Sequence, residues 1–169
     1  MERVKKNDTD AMTQMGKKHF REGDFGKAFE YWTKAAALGD ATAHCCLGTL
    51  YFKGEGVERD MTKAIHHLEQ AAIGGHPQAR GILALYEKYI GRPDRAAKHY
   101  IISANLGCDI SLQQVKVLFI EGTVSKEDYA AALRGYQAAV NATKSAEREK
   151  AEKAEAFYEA TLASGRAFY

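Results

Sequence analysis

Proline, cysteine and long apolar runs are all scarce in this sequence of 169 residues, and each scarcity excludes a class of protein. Only two prolines occur, so few positions forbid a helix, and the β-branched residues are too scattered to build a sheet. No apolar stretch approaches the ~20 residues that a membrane-spanning helix needs, and no apolar core of a signal peptide follows the polar N-terminus. We therefore expect a helical protein of the cytoplasm, with the nucleus as the other compartment that fits.

The three cysteines predict neither a disulfide framework nor a zinc site. Three is an odd number, no CxxC spacing occurs, and Cys45 and Cys46 are helical neighbours whose side chains diverge. Cys108 stands alone in the sequence. We expect small, reduced apolar residues at these positions, and the sequence implicates no metal and no cofactor.

Net charge is nearly absent as well. The chain has 24 lysines and arginines against 22 aspartates and glutamates, which gives a net charge of +2. This balance offers no electrostatic reason to bind nucleic acid or an anionic membrane. Since 46% of the residues are hydrophobic, a chain of this length can bury the core of one folded domain.

What the sequence does contain is a repeat. The stretch YWTKAAALGD at 31–40 returns three more times, and its anchor Trp32 becomes Leu68, Tyr100 and Tyr136, at spacings of 36, 32 and 36 residues. An alanine lies four residues before each anchor, at positions 28, 64, 96 and 132. Because a small side chain one helical turn away lets another helix approach closely, the anchors are predicted to be packing positions rather than ligand contacts.

Each repeat unit is predicted to contain two helices. The second helix starts eight residues before its anchor, at Asp24, Asp60, Arg92 or Asp128, and an aspartate there can cap free backbone N–H groups. The first helices of the units align with one another in a register of their own. The link between the two helices is longest in the second unit, where it reads KGEGVERD at 53–60. The aligned first-helix positions are Met15, Leu47, Leu83 and Val115.

The repeat resembles the SEL-1-like family, which is related to the tetratricopeptide repeats. Residues 43–75 carry nearly all of that family's pattern, and the resemblance extends over about residues 11–145. The matching residues are Ala43, Leu47, Gly48, Tyr51, Gly54, Gly56, Val57, Asp60, Lys63, Ala64, Ala71, Ala72 and Gly75. The sequence departs from the family pattern at three positions. Leu68 replaces the usual aromatic residue, and Ala84 and Lys116 replace the glycine at which the two helices of a unit are in contact.

The resemblance implies an all-α fold, a right-handed α-solenoid of about four helix-turn-helix units. It further implies a concave side lined by the first helices, and a protein-protein interaction adaptor or scaffold as the function. Solenoid surfaces of this kind bind peptides or amphipathic helices along their grooves. We expect such a partner here, with no catalytic role.

The register of the first helices predicts which side chains face that groove. One stripe runs through Thr13, Lys17, Cys45 and Gly81 and is carried from unit to unit, and several of its members are large and apolar. If the register is shifted by one residue, the same stripe would instead be core. The predicted partner-binding residues are Phe20, Thr49, Phe52, Leu85, Lys88, Gln113, Val117 and Ile120.

The ends of the chain differ in composition from its middle. Residues 1–10 are predicted to be a flexible N-terminal segment, residues 11–145 the solenoid, and residues 146–169 a charged, alanine-rich helix. That helix could cap the last repeat. With Phe157, Tyr158 and Leu162 it could instead dock in a groove, so a homo-oligomer built through the C-terminal helix is the alternative function.

No catalytic arrangement stands out. His66 and His67 are adjacent, no HExxH motif occurs, and His44 beside Cys45 points away from it on a helix. The loop KGEGVERD lacks the spacing of a phosphate-binding loop. We therefore expect neither an enzyme nor a metal protein.

Overall fold

The computed structural model describes the backbone of residues 2–163 and the side chains of residues 8–151, 153 and 154. Over that part of the chain it contains eight α-helices and no strand. The helices are α1 (Glu2–Arg21), α2 (Phe25–Ala37), α3 (Ala41–Lys53), α4 (Met61–Ile73), α5 (Pro77–Tyr89), α6 (Pro93–Asn105), α7 (Asp109–Ile120) and α8 (Lys126–Ala163). Each helix packs on the next, and α6 also packs on α8. This confirms the predicted all-α solenoid of four helix pairs.

The two predicted end segments are both helical where the structure describes them. Helix α1 starts at Glu2, within the segment predicted to be flexible, and both Thr9 and Thr13 on it are buried. The boundary predicted at 145/146 falls inside α8, which is continuous from the fourth repeat outward. Phe157, Tyr158 and Leu162 lie outside the described side chains.

The repeated alanines and anchors form the core. Ala28, Ala64, Ala96 and Ala132 are all 0% exposed. The first three anchors are buried as well, and each belongs to a different hydrophobic cluster. Tyr136, on the last described helix, is only half-buried, and its hydroxyl donates to Asp109 at 3.4 Å. The core is therefore a row of local clusters with one anchor in each.

Small residues on the first helices set how closely the anchors approach. A Cβ at Gly16 would overlap the indole of Trp32, and a Cβ at Gly48 would lie 2.7 Å from Leu68 Cγ. The third repeat has Ala84 at this position, which packs in the same cluster as Tyr100. The smaller phenol of the third anchor thus leaves room for a methyl group where the indole of the first leaves none.

Helix starts follow the prediction in the first two repeats and differ in the last. Asp24 and Asp60 are N-caps whose side chains accept from the backbone N–H of Lys27 and Lys63, at 3.1 and 3.0 Å. The prediction for Asp128 was wrong, because α8 already starts at Lys126. The Ser125 hydroxyl oxygen accepts from the backbone N–H of Asp128 at 3.0 Å, so the serine supplies the cap.

Candidate partner-binding face

The first helices of the four repeats, α1, α3, α5 and α7, form one face of the solenoid, which we call the first-helix face. Two cavities lie on it. The Trp32 cavity, of about 380 Å³, is lined by Lys17, Phe20, Arg21, Trp32, Thr42, Cys45, Cys46, Thr49, Leu50, His76 and Gln78. The Tyr100 cavity, of about 390 Å³, is lined by Cys45, Thr49, Gln78, Gly81, Ile82, Leu85, Tyr100, Cys108, Ile110, Ser111 and Gln114. Cys45, Thr49 and Gln78 line both cavities, so the two adjoin.

An anchor of the core contributes to the wall of each cavity. Trp32 is 3% exposed, and its Nε1–H donates to the backbone oxygen of Thr13 at 3.2 Å. Tyr100 is 2% exposed, but its hydroxyl has no hydrogen-bond partner among the described residues. Burial raises the pKa of Tyr100. The burial of Trp32, Leu68 and Tyr100 confirms the prediction that these anchors are packing residues, and Trp32 and Tyr100 also line the cavities of the first-helix face.

The two cavities differ in charge. The Trp32 cavity has Lys17 and Arg21 on its wall, and neither forms an ion pair with a described residue, although Arg21 Nε–H donates to the backbone oxygen of Lys17 at 3.3 Å. His76 lies on the same wall with no hydrogen-bond partner for its Nδ1. Burial, and then the Lys17 charge, lowers the pKa of His76, which favours a neutral imidazole. The Tyr100 cavity has no lysine, arginine, histidine, aspartate or glutamate among its lining residues.

The cysteines on this face are free thiols. Burial raises the pKa of Cys45 to about 12 and that of Cys46 to about 11, so both stay protonated and unreactive at neutral pH. At Cys108, burial alone would raise the pKa, but hydrogen bonds from the Ser111 hydroxyl and backbone lower it overall. The buried Ser111 Oγ lies 2.7 Å from Ser103 Oγ and 3.3 Å from Cys108 Sγ, so these three polar side chains form one hydrogen-bonded group.

Three of the eight predicted partner-binding residues line the cavities. Phe20 lies beside Trp32, with a ring-centroid distance of 5.7 Å, and packs against the first core cluster. Thr49 lies on the wall that both cavities share. Leu85 is 53% exposed and lies at the Tyr100 cavity beside the exposed Ile110, so the two form a small apolar patch.

The other five predicted residues lie outside both cavity walls. Ile120 and Val117 are exposed on α7, Gln113 is exposed, and Phe52 is half-buried. Lys88 Nζ lies 3.9 Å from a carboxylate oxygen of Glu121, an ion pair between the ends of α5 and α7. Their part in partner binding remains a prediction.

On α3, α5 and α7 the cavity walls begin one helical turn nearer the N-terminal end than the predicted stripe, whereas on α1 they begin at Lys17. The walls contain Thr42, Gln78 and Ile110, three residues before Cys45, Gly81 and Gln113 respectively. The register alone could not show where along the stripe the helices diverge. Ile110, a large apolar residue in the first turn of α7, marks this part of the wall, but its 73% exposure is visible only in the structure.

The histidines contain one arrangement that sequence reasoning missed. His44 Nδ1 and His67 Nδ1 are 3.0 Å apart, and the His67 ring stacks on Tyr51 at a centroid distance of 5.8 Å. Burial, and then the neighbouring His44, lowers the pKa of His67 to about 4. No third metal-ligating side chain joins this pair, and no group of three such residues occurs among the described side chains. In the described part of the chain, no helix combines the length and apolarity needed to cross a membrane.

A protein-family model and known proteins are similar to most of the repeat region of this chain. The family model described as Sel1 repeat matches residues 9–40, 41–76 and 83–108, which are the first three helix pairs. An uncharacterized protein of Neisseria meningitidis serogroup B is 32% identical over 91 residues, which are 52% of this chain and 20% of the relative. The fourth helix pair lies outside the segments that the Sel1 repeat model matches.

Two solved structures are similar in fold. A Sel1 repeat protein from Oxalobacter formigenes has a TM-score of 0.65 and 26% identity, over 76% of this chain and 55% of that chain. A protective antigen of uropathogenic Escherichia coli strains, described as displaying an SLR fold, has a TM-score of 0.61 and 22% identity, over 82% of this chain and 31% of that one. The chain thus spans between a fifth and about half of the length of these relatives.

Proposed function

Because the chain belongs to the Sel1 repeat family, whose repeats generally mediate protein–protein interaction, we propose that it is an adaptor or scaffold that binds a partner on its first-helix face. The partner is a peptide or an amphipathic helix of another protein, and the chain contributes no catalysis. The observation that carries this proposal is the pair of adjoining cavities, which extends across four helices and whose shared wall includes Thr49. Cavities of this size accept side chains of a partner in the way that they accept small ligands.

Exposed apolar residues at the cavities support the proposal. Leu85 is 53% exposed and Ile110 is 73% exposed, and both belong to the wall of the Tyr100 cavity. Removing such side chains from water is the main favourable contribution to association. A bound helix that presented apolar residues at i, i+3, i+4 and i+7 would cover both of them.

The test is affinity capture from native extract with four variants, followed by mass spectrometry. Leu85→Glu and Ile110→Glu are expected to lose proteins that the wild type retains, because each places a charge in the Tyr100 cavity. Ile73→Glu is the matched control, since Ile73 is 78% exposed on α4 and lines neither cavity. Ile120→Glu tests whether the partner binds at the cavities or along the stripe predicted from the sequence, because Ile120 belongs to that stripe and yet lies outside the cavities.

Circular dichroism must first show that each variant is as helical as the wild type. Identical capture by Leu85→Glu, Ile110→Glu and the wild type would contradict the proposal. Loss of capture with Ile120→Glu alone would move the binding surface towards the C-terminal ends of the first helices, as the sequence predicted.

A second candidate function is self-association through α8. Its residues 141–150 are exposed on all sides of the helix, so this stretch packs against no other described part of the chain. Removing residues 146–169 should reduce the mass measured by light scattering if this stretch joins copies of the chain. An unchanged mass would leave the first-helix face as the only proposed interaction surface.

A further inference from the structure

Of the two cavities on the first-helix face, the Trp32 cavity is the one with lysine or arginine on its wall. Lys17 and Arg21 are one helical turn apart on α1, both line the Trp32 cavity, and neither is ion-paired with a described residue. The cavity wall has no acidic residue. Asp40, which caps α3 and accepts from the backbone N–H of Ala43, lies near enough to act on the pKa of His76, but it is not part of the cavity wall. Two cations that are not ion-paired with a described residue therefore line a cavity whose own wall has no carboxylate.

The opposite end of the face has a different chemistry. The Tyr100 cavity has no lysine, arginine, histidine, aspartate or glutamate on its wall, which includes the exposed Leu85 and Ile110. It suits a large uncharged side chain. Because Cys45, Thr49 and Gln78 belong to both walls, one bound segment can reach both ends.

We infer that the partner is a helical segment with carboxylates at its end beside Lys17 and Arg21, and a large apolar side chain in the Tyr100 cavity. This inference rests on the proposed function and adds the chemistry and direction of the partner. A carboxylate beside these two cations would gain charge-assisted hydrogen bonds in a partly dehydrated site. A lysine at the same place would meet two like charges, so the face discriminates against basic segments.

The experiment uses three synthetic helical peptides that differ only in charge. Each is an alanine-based, fluorescein-labelled peptide with phenylalanine at one position and a pair of test residues seven positions away, which is a distance of ~10 Å along a helix. The test pair is glutamate in one peptide, glutamine in the second and lysine in the third. Fluorescence polarisation with the whole protein is expected to show the glutamate peptide binding on the order of tenfold more tightly than the lysine peptide. The difference should shrink as salt is added.

Charge reversal on the protein makes the test specific. The variant Lys17→Glu with Arg21→Glu is expected to prefer the lysine peptide. The matched control is Lys144→Glu with Arg148→Glu, which removes two cations with the same spacing from the exposed part of α8, and it should keep the preference of the wild type. Equal changes in both double variants would overturn the inference, since net charge rather than the Trp32 cavity would then set the preference.

The outcomes also separate this inference from the proposed function. Equal binding of the three peptides would overturn the inference and leave binding on the first-helix face standing. Absence of binding by every peptide would also overturn it, and the Leu85→Glu capture experiment then decides whether the proposed function falls as well.

Discussion

The Trp32 cavity and the Tyr100 cavity have nearly the same volume, but their anchors differ in how fully the chain satisfies them. In the first repeat, the indole fills the space above Gly16 and donates its N–H to the backbone of Thr13. In the third repeat, the phenol leaves space for the methyl group of Ala84 and leaves its own hydroxyl unpaired. The same anchor position can therefore be filled and hydrogen-bonded in one repeat and less completely satisfied in another.

The largest effect is expected for Trp32→Ala. Loss of a buried tryptophan that also makes a hydrogen bond should lower the free energy of unfolding by ~3–5 kcal/mol, measured by urea denaturation. Leu38→Ala is the control, because Leu38 is 51% exposed at the end of the same helix, and it should stay within ~0.5 kcal/mol of the wild type. Equal losses in the two variants would contradict the role of Trp32 as the anchor of the first repeat.

The second prediction concerns the close contact that the first repeat has and the third lacks. Glycine to alanine in a helix normally stabilises by up to ~1 kcal/mol. At Gly16 the added methyl group would overlap Trp32, so Gly16→Ala should instead destabilise by ~1–3 kcal/mol. Gly26→Ala, on α2 and clear of close neighbours, should be neutral or stabilising in the same denaturation assay. A Gly16→Ala protein with a higher free energy of unfolding than the wild type would contradict this prediction, since α1 and α2 would then have moved apart without loss of stability.

The third prediction uses the imidazole that only the Trp32 cavity has. Burial and the Lys17 charge hold the pKa of His76 below its usual 6.5, so Lys17→Gln should raise this pKa, as followed by NMR titration. Lys144→Gln should leave it unchanged. Between the lowered pKa and 6.5 the unfolded chain binds more protons than the folded protein, so the stabilising contribution of His76 is complete above pH 6.5. It is then lost as the pH falls through the folded-state pKa.

The smallest effect is expected for Tyr100→Phe. The hydroxyl has no partner, so its removal breaks no hydrogen bond and should change the free energy of unfolding by less than ~0.5 kcal/mol. Ser103→Ala is the contrasting variant, because Ser103 is 0% exposed and its hydroxyl donates to the Pro77 backbone oxygen at 2.9 Å. That change should cost ~1 kcal/mol or more, since it leaves buried groups unpaired. If Tyr100→Phe lowered the free energy of unfolding more than Ser103→Ala does, the tyrosine hydroxyl would have to be hydrogen-bonded in solution.

The sequence predicted the packing of the repeats well, because packing in this fold is local and periodic. Trp32, Leu68 and Tyr100 were identified as anchors by spacing alone, and all three are buried. Tyr136 was placed in the same series, but burial of an anchor requires a following repeat, which the spacing within one unit does not reveal. The long link between the two helices of the second repeat was likewise predicted from the sequence, and in the structure it spans residues 54–60.

The binding face was harder to predict, because cavities depend on how far neighbouring helices diverge. Leu85 and Thr49, which follow the predicted stripe, line the Tyr100 cavity, and their part in partner binding stays a prediction. Ile110 and Gln78 were missed because they lie one turn before the predicted start of that stripe. The charge of the Trp32 cavity was missed for a different reason: overall neutrality hides a local excess such as that of Lys17 and Arg21.

The division of the core into three clusters, each with a single anchor, also has a consequence for how the protein unfolds. Nearly all stabilising contacts join helices that are neighbours along the chain, so the structure resembles a one-dimensional array in which each unit supports only the next. Backbone amides near Leu68, which have a unit on either side, should exchange with deuterium more slowly than amides near the ends. Opening would then proceed inward from the ends, in steps of one repeat.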